Sequence, residues 1–486
     1  MKLGIVQTVF SLQPNITSLF GPHLSSDALI VPPTTPDFPA QLQQRWTDVN
    51  APSYDLGAIK PATEDDVQSI VKIASDNSLP FFVIGGGHGI SNYSTFGGLA
   101  IDMGGFKSVS FSDDKSRLTI GGSVKIFQLI KPLFDAGREL PLGSCECVGV
   151  VGATLGGGIG GLQGERGLLL DALESVNIVT SKGKLVEASA SNNKELFWAL
   201  RGAGSNFGIV TSATYKLPKI SNDGMYMNAD FLFPAAANRS FFEILKATEK
   251  EMSSKLAINA VAAYNRQVGA PMLAVNAIYY GPMSEGRKLV ESFEKMQPMM
   301  SNVTMVPAWD IIDAAFFRSF GQDNGACTPN QHINIYSVVL RQIHTPTFES
   351  FFGQLVRFWD DHPSFQGRWL MQRYATDGPL ATADEASAYG HRHAKMYMNF
   401  EGFYEDRSLD DDVNEFWTSA REAFTKTGGY GRLSVYPNYA RGDEGAEAWY
   451  GESLPRLQEV KQKYDPEGLF SVHNPIPLRQ PHRDLV

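Results

Sequence analysis

The chain has 486 residues, 43% hydrophobic and 19% charged, with a net charge of −10 at neutral pH. That length is too great for one ordinary core and sets a prior of roughly two to four domains. There is no basic footprint for a nucleic acid, no apolar run of about 18 residues that would span a membrane, and no sign of an obligate protein partner. The three cysteines are Cys145, Cys147 and Cys327. Their number is odd and two of them are one residue apart, which is not the pattern of a disulfide framework. Met1-Lys2 followed by Leu3 to Leu12 has the outline of a signal peptide, but Gln7 and Thr8 interrupt it and no small-x-small cleavage site follows. Sequons at Asn15, Asn92, Asn238 and Asn302 are triplets that arise often by chance. The balance leans to an intracellular protein, with secretion as the alternative.

The first fifty residues are rich in Pro and lack a clear period. At Thr63-Glu-Asp-Asp66 a capping box opens a helix, and Val67, Ile70, Val71 and Ala74 fall on one face of it. Phe81-Phe-Val-Ile84 reads as a buried strand that runs into Gly85-Gly-Gly-His-Gly89. Short strands follow over Leu99 to Met103, Ser108 to Phe111 and Arg117 to Ile120. A second glycine cluster covers 143–161. Beyond it Ala172 to Thr180 and Leu185 to Ala188 form a hairpin around Lys182-Gly183. Asn193 caps a helix over Lys194 to Leu200 that Gly202 ends, and Gly208 to Leu217 is a further strand. Near residue 220 the composition changes. From there to about 430 the helix and strand patterns are longer and free of glycine clusters, which marks a separate α+β domain. Within it Leu273 to Tyr280 reads as a strand and Ser284 to Met296 as a helix with Leu289, Val290 and Phe293 inward. Leu454, Leu457, Val460 and Tyr464 mark a last helix, stopped by Asp465-Pro466.

Gly156, Gly158 and Gly161 satisfy G-x-G-x-x-G, the dinucleotide fingerprint. That fingerprint needs a strand before, a helix after and an acid about 20 residues on. Here the next clear element is the β-hairpin, so the match is accidental. The glycines keep a physical meaning: they let backbone amides approach a phosphate and supply positive φ. Loops 85–89 and 149–161 could hold a pyrophosphate from two sides; each alone would more often be a tight turn.

Gly86-Gly-His88 after an apolar strand, then Gly143-Ser-Cys145, Val148-Gly-Val150 and Gly156-Gly-Gly158, resemble the berberine-bridge-enzyme-like flavoproteins of the vanillyl-alcohol-oxidase superfamily, in their fungal form. Leu196-Phe-Trp-Ala-Leu-Arg-Gly-Ala-Gly-Ser-Asn-Phe-Gly-Ile-Val210, Tyr436-Pro-Asn-Tyr439 and the tail Tyr464-Asp-Pro466, Phe470 and Asn474-Pro-Ile-Pro477 are similar to the same family. The likeness is close over about 50–220 and 430–480. It implies an α+β chain with a PCMH-type FAD-binding domain of two subdomains (50–220), a substrate domain whose antiparallel sheet is backed by helices (221–430), and a C-terminal segment returning to the FAD domain (431–486).

The resemblance also implies bicovalent FAD: His88 at the flavin 8α-methyl and Cys145 at the 6-position. Counting from Val148 and Gly156 favours Cys145 over the rival Cys147. Gly85, Gly86, Gly87, Gly89, Gly149, Gly152, Gly156, Gly157, Gly158, Gly208 and Ile209 would line the cofactor, and Asn438 and Asn474 would bond the flavin edge or ribityl chain. Val148, three positions after the cysteine, would stand beside the carbon that meets dioxygen, where valine goes with oxidases. One departure is Ile84, where the family often has Arg. Read without the family, a lone His in a glycine loop is more often a packing group and a lone Cys a small hydrophobe.

Hydride transfer from an alcohol or amine needs a base. Tyr439 is the candidate and Tyr436 the alternative. A phenol near pKa 10 serves only where cations or hydrogen bonds favour phenolate, and Arg432, Arg441 or Lys395 could supply them. His391 and His393 lack further ligands at a useful spacing, so no metal site is expected. The expected reaction is oxidation of a small secondary-metabolite alcohol, phenol or amine, with dioxygen as acceptor and hydrogen peroxide as product. An aldose or oligosaccharide substrate, and a redox-neutral cyclase, are the alternatives.

Overall fold

The computed structural model of the chain describes residues 15–319 and 327–478. The leader-like stretch Leu3 to Leu12, and residues 479–486 of the C-terminal segment, lie outside the described residues. Three sheets organise the rest. The first holds β1 (Leu29–Val31), β2 (Ser53–Lys60), β3 (Phe81–Ile84) and β4 (Gly97–Asp102) in the order β1-β2-β4-β3. Its inner pairs are parallel and β1 is antiparallel. Helix Glu64–Asp76 makes the β2-to-β3 crossover, its end closed by the expected capping box of Thr63 and Asp66 and its inner face formed by Val67, Ile70, Val71 and Ala74. The Pro-rich start, which showed no period, nevertheless supplies strand β1 and helix Ile16–Phe20. Elements of three and five residues are too short for a pattern to repeat.

The second sheet is antiparallel: β5 (Val109–Phe111), β6 (Arg117–Gly121), β7 (Leu173–Val179), β8 (Leu185–Ser189) and β9 (Ile209–Lys216), in the order β5-β6-β9-β7-β8. The expected hairpin is β7–β8. Two local expectations are corrected. Asn193 sits at φ 46° and makes no capping hydrogen bond; its amide instead donates to the Glu187 carbonyl at 2.7 Å. The glycine cluster 149–161 is not loop throughout, since Val150–Leu155 is helical. That helix is buried by sheet contacts that glycine-rich composition conceals.

The third sheet has seven antiparallel strands, β10 (Met225–Pro234), β11 (Leu256–Asn265), β12 (Ala270–Tyr279), β13 (Met300–Pro307), β14 (Ile333–Leu340), β15 (Arg368–Tyr374) and β16 (Met396–Phe403), in the order β13-β10-β12-β11-β15-β16-β14. Period-2 alternation gives it two unlike faces. Met227, Ala229, Phe231 and Phe233 face helices Asn238–Ala247, Met283–Lys295, Thr345–Asp361 and Asp410–Thr427 in the largest apolar core. The intervening Tyr226, Asn228 and Asp230, with Asn259, Asn276 and Gln372, belong to the other face. On helix Met283–Lys295, Val290 and Phe293 are buried as expected, but Leu289 is 42% exposed. It lies one step off the inward stripe. The chain is therefore the α+β, PCMH-type arrangement that its motifs imply. No helix among the described residues is long and apolar enough to cross a membrane.

Candidate functional site

A cavity of about 340 Å³ runs between the first two sheets, lined by both glycine loops, by Ser205 to Val210 and by the C-terminal turn around Asn438. Its narrowness depends on missing side chains. A Cβ on Gly86 would lie 2.6 Å from Gly149 Cα, so the two glycine loops touch backbone to backbone. Gly87 holds φ +77°, and a Cβ on Gly156 would strike the Asn438 amide. At Gly152 a Cβ would meet no atom; a side chain there would project into the cavity. Gly85, Gly89, Gly149, Gly158, Gly208 and Ile209 line it as well, while Gly157 packs against Tyr389 and Tyr436 behind the wall.

His88 and Cys145 meet at one end. His88 Nε2 lies 3.6 Å from Cys145 Sγ, although 57 residues separate them in sequence. Trp46 stacks on the imidazole with centroids 4.4 Å apart and planes 18° from parallel. Enclosure by protein pushes the imidazole down to about 4, helped by the Lys125 cation, and pushes the Cys145 thiol up to about 11. Above pH 4 the imidazole is therefore neutral, with a free lone pair. Lys125 also provides a cation near His88 that Ile84 cannot.

The cysteines, whose pattern is not that of a disulfide framework, nevertheless form one bond. Cys147 is bonded to Cys327 across 180 residues, and Cys145 is the free cysteine. Partners so far apart are brought together by packing of the third sheet on the glycine loop, which spacing cannot reveal. Cys147 Sγ still lies 3.5 Å from Cys145 Sγ and 4.0 Å from His88 Nε2. These three residues are the one group with metal-ligand geometry among those described, but the disulfide takes one sulfur. His391 donates Nε2–H to the Trp449 carbonyl at 2.9 Å, and His393 turns outward to Asp384 at 3.0 Å, so that pair does not converge.

The Y-x-N-Y residues have separate duties. Tyr436 Oη accepts from the Gly158 amide at 2.9 Å, the Ile159 amide at 3.3 Å and Asn438 Nδ2 at 2.7 Å. It clamps the second glycine loop; burial disfavours its ionised form, and those three donors act against burial by favouring it. Asn438 also donates to the Ala153 carbonyl at 2.8 Å, and Asn474 donates to the Pro437 carbonyl at 2.8 Å. The amide hydrogens expected for a cofactor thus hold the turn in place, and both side chains line the cavity. Tyr439 Oη donates to Gln372 Oε1 at 2.7 Å. Gln372 Nε2 donates in turn to Ser144 Oγ at 3.1 Å and Tyr374 Oη at 2.9 Å.

Two of the cations expected around Tyr439, the arginines, are engaged elsewhere. Arg441 bonds Asn334 and Asn414 and lies over the Tyr336 ring, and Arg432 pairs with Glu452. Burial, then Tyr374, Tyr436, Glu401 and Cys145, push the Tyr439 phenol well above its ordinary range. Glu401 itself accepts from Arg368 Nε at 2.5 Å. Sequence reasoning missed Trp46, Lys125 and Gln372. None lies in a motif, and only tertiary packing of β15 against the turn Pro437–Tyr439 brings Gln372 to Tyr439.

A second cavity, of about 110 Å³, shares Gly143 and Ser144 with the first. Leu142, Ile278, Ile311, Ala315, Phe316 and Leu370 represent its mainly apolar wall, and Tyr280 enters it beside Asn259 and Asn276.

A long glycine-lined cleft with two nucleophiles at one end, opening on a small apolar chamber, defines a flavin-dependent oxidoreductase of the two-sheet PCMH class. Residues 56–189 match the family model described as FAD binding domain, and residues 435–477 match the one described as berberine and berberine like. FAD-linked oxidoreductase tazG of Aspergillus terreus is 58% identical over 98% of each chain. FAD-linked oxidoreductase azaG of Aspergillus niger is 45% identical over 93% of this chain and 96% of its own. The chain belongs to the berberine-bridge-enzyme-like FAD-linked oxidoreductases. Solved structures agree on the fold: BBE-like 1 of Physcomitrella patens superposes with a TM-score of 0.82 at 21% identity, covering 96% of this chain and 100% of that one. The glucooligosaccharide oxidase of Acremonium strictum gives 0.82 at 19% identity, covering 96% and 99%.

Proposed function

We propose that this protein is an oxidase that holds FAD through both His88 and Cys145 and oxidises a small apolar alcohol, phenol or amine, with dioxygen as acceptor and hydrogen peroxide as product. The approach of His88 Nε2 to Cys145 Sγ, 3.6 Å at the closed end of the cleft, carries the reading. Two nucleophiles so close can both reach the same end of one ring system, and a structure of the Acremonium strictum enzyme is described as carrying 6-S-cysteinyl, 8α-N1-histidyl FAD. Once bound, FAD would supply the two-electron acceptor.

The chain's own residues do the rest. His88, kept neutral by burial, offers an unprotonated ring nitrogen for attachment, 3.6 Å from the Cys145 sulfur. Tyr439 is the proton acceptor for substrate. The three partners of the Gln372 amide, Tyr439, Ser144 and Tyr374, are all hydroxyls that can donate or accept. The amide can therefore turn and offer Nε2–H to an ionised Tyr439 without orphaning a neighbour.

Substrate binds in the second cavity. At about 110 Å³ it approaches the size of a ~150 Å³ cavity known to take benzene. Its aliphatic and aromatic wall suits a single substituted ring better than a sugar chain with a hydroxyl on every carbon. The oligosaccharide reading rests on the fold shared with the glucooligosaccharide and chitooligosaccharide oxidases and is disfavoured by a lining that is mainly apolar, with Arg138, Glu139, Asn259 and Asn276 among its polar members.

The test is a visible spectrum before and after acid denaturation. Flavin colour should stay with the polypeptide in the wild type and in His88→Ala or Cys145→Ala, and leave in the double variant. Release of all flavin from wild type would defeat the proposal. Lack of peroxide on turnover would turn it to the redox-neutral cyclase.

A further inference from the structure

We propose that the left-handed turn Phe316–Arg318 is the specificity-determining wall of the substrate chamber, and that Asp230 is the residue that positions it. The inference rests on the second cavity being the substrate site. Ala308, Ile311, Ile312, Ala315 and Phe316 all line that cavity, so one short segment forms much of its outer side. Its end is unusual. Phe316, Phe317 and Arg318 take φ of 52°, 58° and 64° in succession, a region that L-residues avoid because Cβ crowds the following carbonyl. Three consecutive non-glycine residues persist there only where their surroundings over-determine them.

The surroundings are the Asp230 carboxylate. Oδ1 accepts from the Phe316 amide at 2.8 Å and Oδ2 from the Phe317 amide at 3.0 Å. Asn276 Nδ2 and Asn228 Nδ2 complete the set, each at 2.8 Å. Asp230 is fully buried in the middle of β10, on the face turned away from the helices, and four neutral donors meet it. A second tie, Arg318 to Asp310 at 2.5 and 3.0 Å, closes the segment on itself. The Phe316 ring then packs with Val261, Ala315 and Leu370 and sets the width of the chamber. Asn276 lines the same chamber, so one carboxylate fixes both the wall and a polar group on the floor.

Asn is close to isosteric with Asp but offers one acceptor and one NH₂. In Asp230→Asn the NH₂ must face donors, and the turn loses part of its hold. Phe316→Ala removes the ring and leaves the carboxylate network intact. The measurement is the dissociation constant of holoenzyme for benzyl alcohol and for 2-naphthalenemethanol, followed by the change in flavin absorbance. Wild type should favour the single ring at least tenfold. In both variants that ratio should fall below about threefold, with flavin content unchanged. A general loss of stability would lower the competent fraction for both probes alike and leave the ratio where it was. Wild-type ratios in both variants would overturn the proposal. Wild type that binds neither alcohol would instead remove the chamber assignment on which it rests, and would leave the attachment of flavin to His88 and Cys145 standing.

Discussion

Tyr439 shows how far a residue's duty follows from its surroundings. A base must be ionised to accept a proton, and burial, then the neighbouring Tyr374, Tyr436, Glu401 and Cys145, hold this phenol protonated well above its ordinary range. Below the raised pKa the ionised fraction grows tenfold per pH unit. The rate of flavin reduction by substrate should therefore climb with pH and show no plateau below about pH 10. Tyr439→Phe should abolish that limb and slow reduction by about 10²–10⁴-fold, read by anaerobic stopped-flow. A mutant with the wild-type profile would move the base elsewhere. Val148 is the second residue to test. It lines the cleft three positions after Cys145, beside Gly149, and an added methylene there would fill the small space dioxygen needs. Val148→Leu should leave reduction by substrate nearly unchanged and slow reoxidation at least tenfold, a barrier change of about 1.4 kcal/mol. Equal reoxidation rates on mixing reduced protein with oxygenated buffer would clear Val148. His88, Cys145 and Tyr439 were legible because motifs fix their positions. Gln372 was not: it is one polar residue in a buried strand, and its meaning comes from a partner 67 residues away.

At the scale of elements, the Cys147–Cys327 bond ties the third sheet to the loop that carries Cys145. Closing a loop this long should contribute about 2–4 kcal/mol of stability. It also has a chemical effect, because it occupies the thiol nearest to Cys145. Cys327→Ser should lower the free energy of unfolding by that amount and expose Cys147 as a competitor. Peptide mapping should then find flavin divided between Cys145 and Cys147; flavin confined to Cys145 would show that position alone selects the site. The elements themselves were readable where a period could repeat. Helix Glu64–Asp76 has three turns and a capping box, whereas β1 has three residues. Asn193 had the right residue type for a cap but the wrong backbone, held by its bond to the Glu187 carbonyl. Such a bond is tertiary and has no trace in local spacing.

Across the whole molecule, the two cavities meet at Gly143 and Ser144, so the glycine-lined cleft and the proposed substrate chamber are bordered by different sheets. The sequence pattern revealed the first, which is lined by clustered glycines, but not the second, whose wall is ordinary aliphatic residues scattered from Ile130 to Tyr374. The second is bordered by the seven-stranded sheet with its unlike faces. Phe231, Phe233, Trp369, Met371 and Phe400 point into the helices and make the core; Asn259, Asn276, Ile278 and Leu370 border the chamber. Alternation along each strand thus divides neighbours in sequence: one residue packs in the core and the next borders the proposed substrate chamber. Variation confined to the second set can retune selectivity while the melting temperature hardly moves, which makes this face a ready starting point for laboratory evolution and for the divergence of paralogues.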